Sequence, residues 1–320
     1  MIFRRCLLLL LVFGVLSLAA GRVAVGLEMG RTDVSPSCVH EMTYEPFAGL
    51  ILVKVTVGES QPLTFIVDTG ASQSAINDPF LANALGLESR DVGLARGMGS
   101  GATRVHIAED TCIRSDGVEI LRGQLVIHDI GQRLAEFAGR EIDGFLGAEL
   151  FERYVVEIDP VGYRLLLHNP ETFDYRGNGF QIPLVVEDRR PLIRSRVIIK
   201  EGGREVPVRL VVDTGAGRWL TLITKSRRHL KPPADQSVGG SIDVVGDSTV
   251  VLATTSRLLV GPIIVRKVET AWTQSFNVPA VRNIEDLNGI LGNNFLSRFR
   301  TIFDYHRGRL ILEAVDRAQP

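Results

Sequence analysis

Two aspartates sit where a charge is costly. Asp68 follows the apolar run Phe65-Ile66-Val67 and precedes Thr69-Gly70-Ala71; Asp213 follows Leu210-Val211-Val212 and precedes Thr214-Gly215-Ala216. A carboxylate at the end of a buried strand must be neutralised, hydrogen-bonded or useful. One Asp-Thr-Gly is an ordinary turn tripeptide. Two of them, each after an apolar strand, suggest a pair. Two carboxylates in contact share one proton: one serves as general base toward a water, and the protonated partner polarises a carbonyl. In this reading Gly70 and Gly215 let backbone approach the pair where a Cβ would intrude. Thr69 and Thr214 fix each loop by hydrogen bonds.

The elements that must position such a pair repeat along the chain. From Asp68 to Asp213 the offset is 145 residues, and the same offset carries Gly144-Phe145-Leu146-Gly147 onto Gly289-Ile290-Leu291-Gly292 without a gap. It also carries Pro62 onto Pro207, Arg153 onto Arg298, Asp159 onto Asp304 and Arg164 onto Arg309. A duplication is the reading. Each half opens on an alternating strand (50–57 in the first), runs through the Asp-bearing strand to a Gly-rich segment (96–103; 237–243), and continues in β-branched runs (123–130; 257–272). A short helix after Gly147 or Gly292 then precedes a last hairpin (154–168; 299–313), whose Asp159 and Asp304 read as turn residues. The fold class expected is all-β, with two pseudo-symmetric, closed, barrel-like lobes and a cleft between them. Pseudo-twofold packing of the lobes would bring the two Asp residues together, and neither lobe would hold a complete site. The N-terminal lobe is set at 45–168, a polar linker at 169–179 and the C-terminal lobe at 180–315.

The two copies of apolar-apolar-Asp-Thr-Gly-Ala, each followed 77 residues later (145 − 68 and 290 − 213) by an apolar-apolar-Gly triplet, resemble the aspartic peptidases. The resemblance covers about residues 45 to 315 and implies a bilobal acid-protease fold. It implies catalysis by Asp68 and Asp213 and loop support by Thr69, Gly70, Thr214 and Gly215. It further implies that Phe145-Leu146-Gly147 and Ile290-Leu291-Gly292 pack beneath the active-site loop of their own lobe. Ala71 and Ala216 are similar to the retroviral type, yet both halves lie in one chain, as in pepsins. The implied activity is peptide-bond hydrolysis with no cofactor and no metal, on a peptide or protein substrate, in a chain with no need to dimerise. The chain departs from the pepsin type: the position near Ala75 is small where a Trp is usual, residues 96–103 contain no Tyr, and Gly217-Arg218-Trp219 replaces small polar residues. A non-catalytic peptide- or glycan-binding envelope protein on the same scaffold is the alternative.

Composition narrows the remaining classes. The 320 residues are 45% hydrophobic and 23% charged with a net charge of −1, which gives no electrostatic footprint for nucleic acid. The six His and three Cys show no metal-ligand spacing, and neither Gly-x-Ser-x-Gly nor a P-loop occurs. The N-terminal Met1–Arg5 is basic, and Cys6–Gly21 is apolar and ends in small residues, the layout of a secretory signal over 1–21. Export to the periplasm or medium follows, with 22–44 as a leader or flexible segment. An uncleaved membrane tether over Cys6–Leu27 is the competing reading. Without Cys6, Cys38 and Cys112 remain, free to form a disulfide or to stay as two thiols.

Overall fold

The computed structural model describes residues 37–95, 103–224, 226–227, 230–235, 237–243, 246–274, 284 and 286–315. The N-terminal apolar stretch and residues 96–102 of the first Gly-rich segment lie outside them. Among the described residues the chain is mostly β-strand with four short helices. The first half runs β1 (Cys38–Phe47), β2 (Leu50–Val57), β3 (Leu63–Val67), β4 (Ala75–Ile76), α1 (Pro79–Ala84), β5 (Ser89–Ala95) and β6 (Thr103–Ser115). It continues through β7 (Val118–His128), α2 (Gly131–Ala138), β8 (Gly144–Leu146), α3 (Ala148–Arg153), β9 (Val155–Asp159) and β10 (Arg164–His168). Residues 169–179 carry no helix or strand. The second half runs β11 (Phe180–Glu187), β12 (Arg190–Ile198), β13 (Val206–Asp213), β14 (Leu220–Ile223), β15 (Ser237–Asp243) and β16 (Gly246–Val260). Then come β17 (Ile263–Thr273), β18 (Gly289–Gly292), α4 (Asn293–Leu296), β19 (Phe299–Asp304) and β20 (Arg309–Ala314). Strand β1 thus begins inside the span read from sequence as a leader.

Six strands of the first half close on themselves. β2 pairs antiparallel with β3, β3 runs parallel to β8, and β8 meets β4 antiparallel; β4 then runs parallel to β7, which pairs with β6, and β6 returns to β2. This is a closed barrel with no free edge in the ring. In the second half β12, β13, β18, β14, β17 and β16 make the same six pairings in the same senses. A further sheet, β1-β10-β9-β19-β20-β11, takes strands from both halves and joins them through Thr301↔Ile158, Ile302↔Glu157 and Phe303↔Val156.

The unbroken apolar runs before the two aspartates now have a cause. Alternate strand residues face opposite sides. Phe65 and Val67 point into the main core, whereas Ile66 packs with Val126, Ile142 and Leu134 of α2. Likewise Leu210 and Val212 enter the main core, and Val211 packs with Leu192, Ile284 and Leu287. Strands covered on both faces read as continuous hydrophobic runs. Burying each such side chain contributes about 1.5–3 kcal/mol, which anchors the strand end that carries the Asp.

Two hairpins have matching two-residue turns. Phe47↔Leu50 encloses Ala48 (φ 49°) and Gly49 (φ 80°); Glu187↔Arg190 encloses Asp188 (φ 47°) and Arg189 (φ 60°). Two successive positive φ angles mark the turn type that suits the twist of paired strands. Three of the four residues are not glycine, so the turns are strained, and strain of this kind gathers where surroundings over-determine the backbone. Cys38 and Cys112 are separate free thiols.

Candidate active site

Asp68 stands just past β3 and Asp213 ends β13. Beneath each loop passes the apolar-apolar-Gly strand of the same half: β8 lies parallel to β3, and β18 parallel to β13, with Asp213 opposite Gly292. Ala148 N–H donates to Ala71 O at 3.0 Å, and Asn293 N–H to Ala216 O at 2.7 Å. The crossings are so close that a Cβ on Gly147 would stand 2.5 Å from Gln73 C, and one on Gly292 2.2 Å from Arg218 O. The glycines of the triplets are therefore steric requirements.

The two threonines cross between the halves. Thr69 N–H donates to Thr214 Oγ1 at 3.0 Å, and Thr214 N–H to Thr69 Oγ1 at 3.0 Å. Thr69 Oγ1 donates to Val212 O and Thr214 Oγ1 to Val67 O, each at 2.7 Å. Both threonines are fully buried. Each threonine thus fixes the loop of the opposite half. The four mutual bonds lock the two strand ends into one geometry.

Gly70 lies against the carboxyl of Asp213, and Gly215 against that of Asp68. A Cβ on either would fall 2.6 Å from Asp213 Oδ2 or 2.5 Å from Asp68 Oδ1. Each carboxyl thus lies against the glycine of the opposite loop, which brings the two together. Protein surrounds them on most sides, yet each keeps part of its surface open. Their environments differ. Asp68 Oδ1 accepts Gly70 N–H at 2.7 Å and Ala71 N–H at 3.1 Å, whereas Asp213 Oδ1 accepts Gly215 N–H at 2.8 Å. Burial raises both carboxyls above the usual range. Asp213 is raised further, because the negative charge of Asp68 opposes its ionisation. The pair therefore holds one proton between its two carboxyls over an extended range of pH.

Several residues at the site escaped the sequence. The Asp188–Arg189 turn of the second half reaches the loop of the first: Arg189 donates to Glu152 (2.6 and 2.8 Å) and to Glu149 Oε1 (3.0 Å). Glu149 Oε2 in turn accepts from Ser74 N–H and Oγ–H at 2.8 and 2.9 Å, and Ser74 Oγ accepts Gly147 N–H at 2.9 Å. Arg190 Nε donates to Gly70 O at 2.8 Å. Tyr305 stacks on Phe151 at 5.7 Å, its phenol buried and held well above its ordinary range by desolvation. The available signal for the arginines was the hairpin turn. An ungapped offset hides it, since Asp213 follows Arg190 by 23 residues (213 − 190) and Asp68 follows Leu50 by 18 (68 − 50).

The other residues marked in the sequence fall into place. Asp159 accepts Val161 and Gly162 N–H and pairs with Arg164; Asp304 accepts Arg307 N–H and pairs with Arg309. Both close hairpin turns. Trp272 is core, and Trp219, partly buried at the edge of the main core, lies under the guanidinium of Arg298. Residues 237–243 form β15, which pairs with β16 through Asp243↔Gly246, and in the first half Ala95↔Thr103 is the last pair before residues 96–102.

Residues 53–150 match a family model described as aspartyl protease. The matched segment contains Asp68 and the Gly147 triplet and ends before Asp213. The match supports an aspartic peptidase family. No curated protein matches the chain.

Proposed function

We propose that the chain is an aspartic endopeptidase of the single-chain, two-lobed kind, exported from the cell, acting without a cofactor on peptides or proteins. The observation that carries the reading is the reciprocal Thr69/Thr214 bonding, which holds each carboxyl against the glycine of the opposite loop in one fixed geometry. A structural role alone gives no reason to hold two carboxyls against each other, since each raises the cost of ionising its neighbour.

In the proposed reaction Asp68 takes a proton from a water between the carboxyls as its oxygen attacks the scissile carbonyl carbon. Asp213 gives its proton to the carbonyl oxygen. As the tetrahedral intermediate collapses, the C–N bond breaks, the proton on Asp68 passes to the amine nitrogen, and Asp213 recovers a proton from a hydroxyl of the forming acid. The substrate would lie extended between the lobes, pairing with backbone edges. Export rests on the basic-then-apolar N terminus, and mass measurement of the mature N terminus tests it against a retained membrane tether.

The test of the activity is cleavage of a diverse peptide library from pH 3 to 8. Asp68→Asn and Asp213→Asn should each abolish it. Normal cleavage by either variant would overturn the mechanism, and silence from folded wild type would favour a peptide- or glycan-binding role.

A further inference from the structure

Arg190 opens β12 directly after the strained turn and is 7% exposed. Its NH1 group donates to Asp188 O at 3.1 Å and to the Asp188 carboxylate, while Nε holds Gly70 O at 2.8 Å. That carbonyl belongs to the Gly70–Ala71 peptide, whose N–H donates to Asp68 Oδ1 at 3.1 Å. A guanidinium therefore sits at one end of a peptide dipole and a carboxylate at the other, and each bond polarises the next.

The other hairpin has no such cation. Leu50 takes the place of Arg190 as first residue of β2, and Gly49 meets Gly217 through backbone alone, a Cβ there falling 2.8 Å from Gly217 O. In a symmetric pair nothing would decide which carboxyl holds the proton. We propose that Arg190 is a positioning residue of the pair: by holding the Gly70–Ala71 peptide it keeps the negative charge on Asp68 and leaves Asp213 as the proton donor. The proposal rests on the peptidase reading of the site. The charge of Arg190 favours ionisation of both carboxyls. The other ionisable groups around them are the Tyr305 phenol after β19, Asp188 on Arg190, and Glu149 and Glu152, both engaged by Arg189.

The sign follows directly. Without the cation Asp68 is protonated at higher pH, so the acid limb of activity moves up. Arg190→Gln should raise that limb by about one pH unit, roughly a tenfold loss of kcat/KM below it. Arg190→Lys, which keeps the charge, should restore the limb while kcat stays low, since one ammonium cannot reproduce the fork. Asp188→Asn removes the counter-charge from an exposed turn and should move the limb the other way; it also serves if Arg190→Gln does not fold. The same variants are read by carbon-13 titration of the aspartate carboxyls in the full chain, a measurement independent of turnover. If wild type cleaves nothing, the peptidase reading fails, and the titration alone then decides for Arg190. A carboxyl titration and acid limb unmoved by both Arg190→Gln and Asp188→Asn overturn the proposal; opposite shifts support it.

Discussion

The loops at Asp68 and Asp213 share a sequence, a strand order and a set of crossed threonine bonds, but differ in what braces them. Behind the first lies a charged brace: Ser74 on Glu149, Glu149 on Arg189, and Gly70 on Arg190. At the equivalent places of the second stand Trp219 and Asn294, and its brace is close backbone contact, Gly217 against Ala48 and Gly49, with Asn293 Nδ2 donating to Gly49 O at 2.9 Å. The helices differ too: α1 and α2 cover the first barrel, and the described residues of the second half hold only α4. The repeated motif sets the geometry of the two carboxyls, while unrepeated neighbours place different groups behind each loop.

The largest expected effect tests the shared part. Gly70→Ala and Gly215→Ala each drive a Cβ into the opposite carboxyl, and each should lower kcat/KM by at least about a thousandfold, the scale at which loss of one well-placed catalytic interaction is felt. A variant that kept its rate would show that the pair is looser than its geometry implies. Next, Thr69→Val and Thr214→Val each strip partners from a buried N–H and a buried carbonyl of the opposite half. Each should cost about 2–4 kcal/mol in denaturant unfolding, by the penalty for orphaned buried groups, and the double variant should cost less than the sum. Unequal losses would break the equivalence of the loops.

Smaller effects sharpen the asymmetry. Glu149→Ala should cost about 1–3 kcal/mol, because Ser74 and Arg189 lose a common acceptor, whereas Asn294→Ala should cost under about 1 kcal/mol. Equal values would mean that the charged brace adds nothing. Smallest is a gain. Burial holds Asp213 protonated well above the value it has unfolded, so its contribution to stability is full below about pH 3.8 and is lost as pH rises. Asp213→Asn mimics the neutral form and should raise stability at pH 7 by on the order of 1 kcal/mol, a gain that disappears below pH 4 in melting scans. A gain that persisted at low pH would trace to something other than ionisation.

Much of this was written in local pattern. Asp68 and Asp213 were found by type, spacing and the apolar runs before them, and the strand at 50–57 has the bounds its alternation predicts. The turn roles of Asp159 and Asp304 were legible for the same reason: the groups that satisfy them lie within five residues. What escaped lies far off in sequence and near in space. Thr69 meets Thr214 across 145 residues, and Arg190 meets Gly70 across 120. Whether Cys38 and Cys112 bridge was open, because even number and export context say nothing of where two strands place their Cβ atoms.

Strands and turns were legible along the chain, and so were the two Asp-Thr-Gly triplets, because strand period, turn chemistry and the cost of burying a charge act on neighbouring residues. Packing alone set which half braces which loop and how differently the two carboxyls are surrounded. Those outcomes depend on hydrogen bonds and charges brought together by packing, and their strength follows distance in space, to which distance along the chain gives no guide.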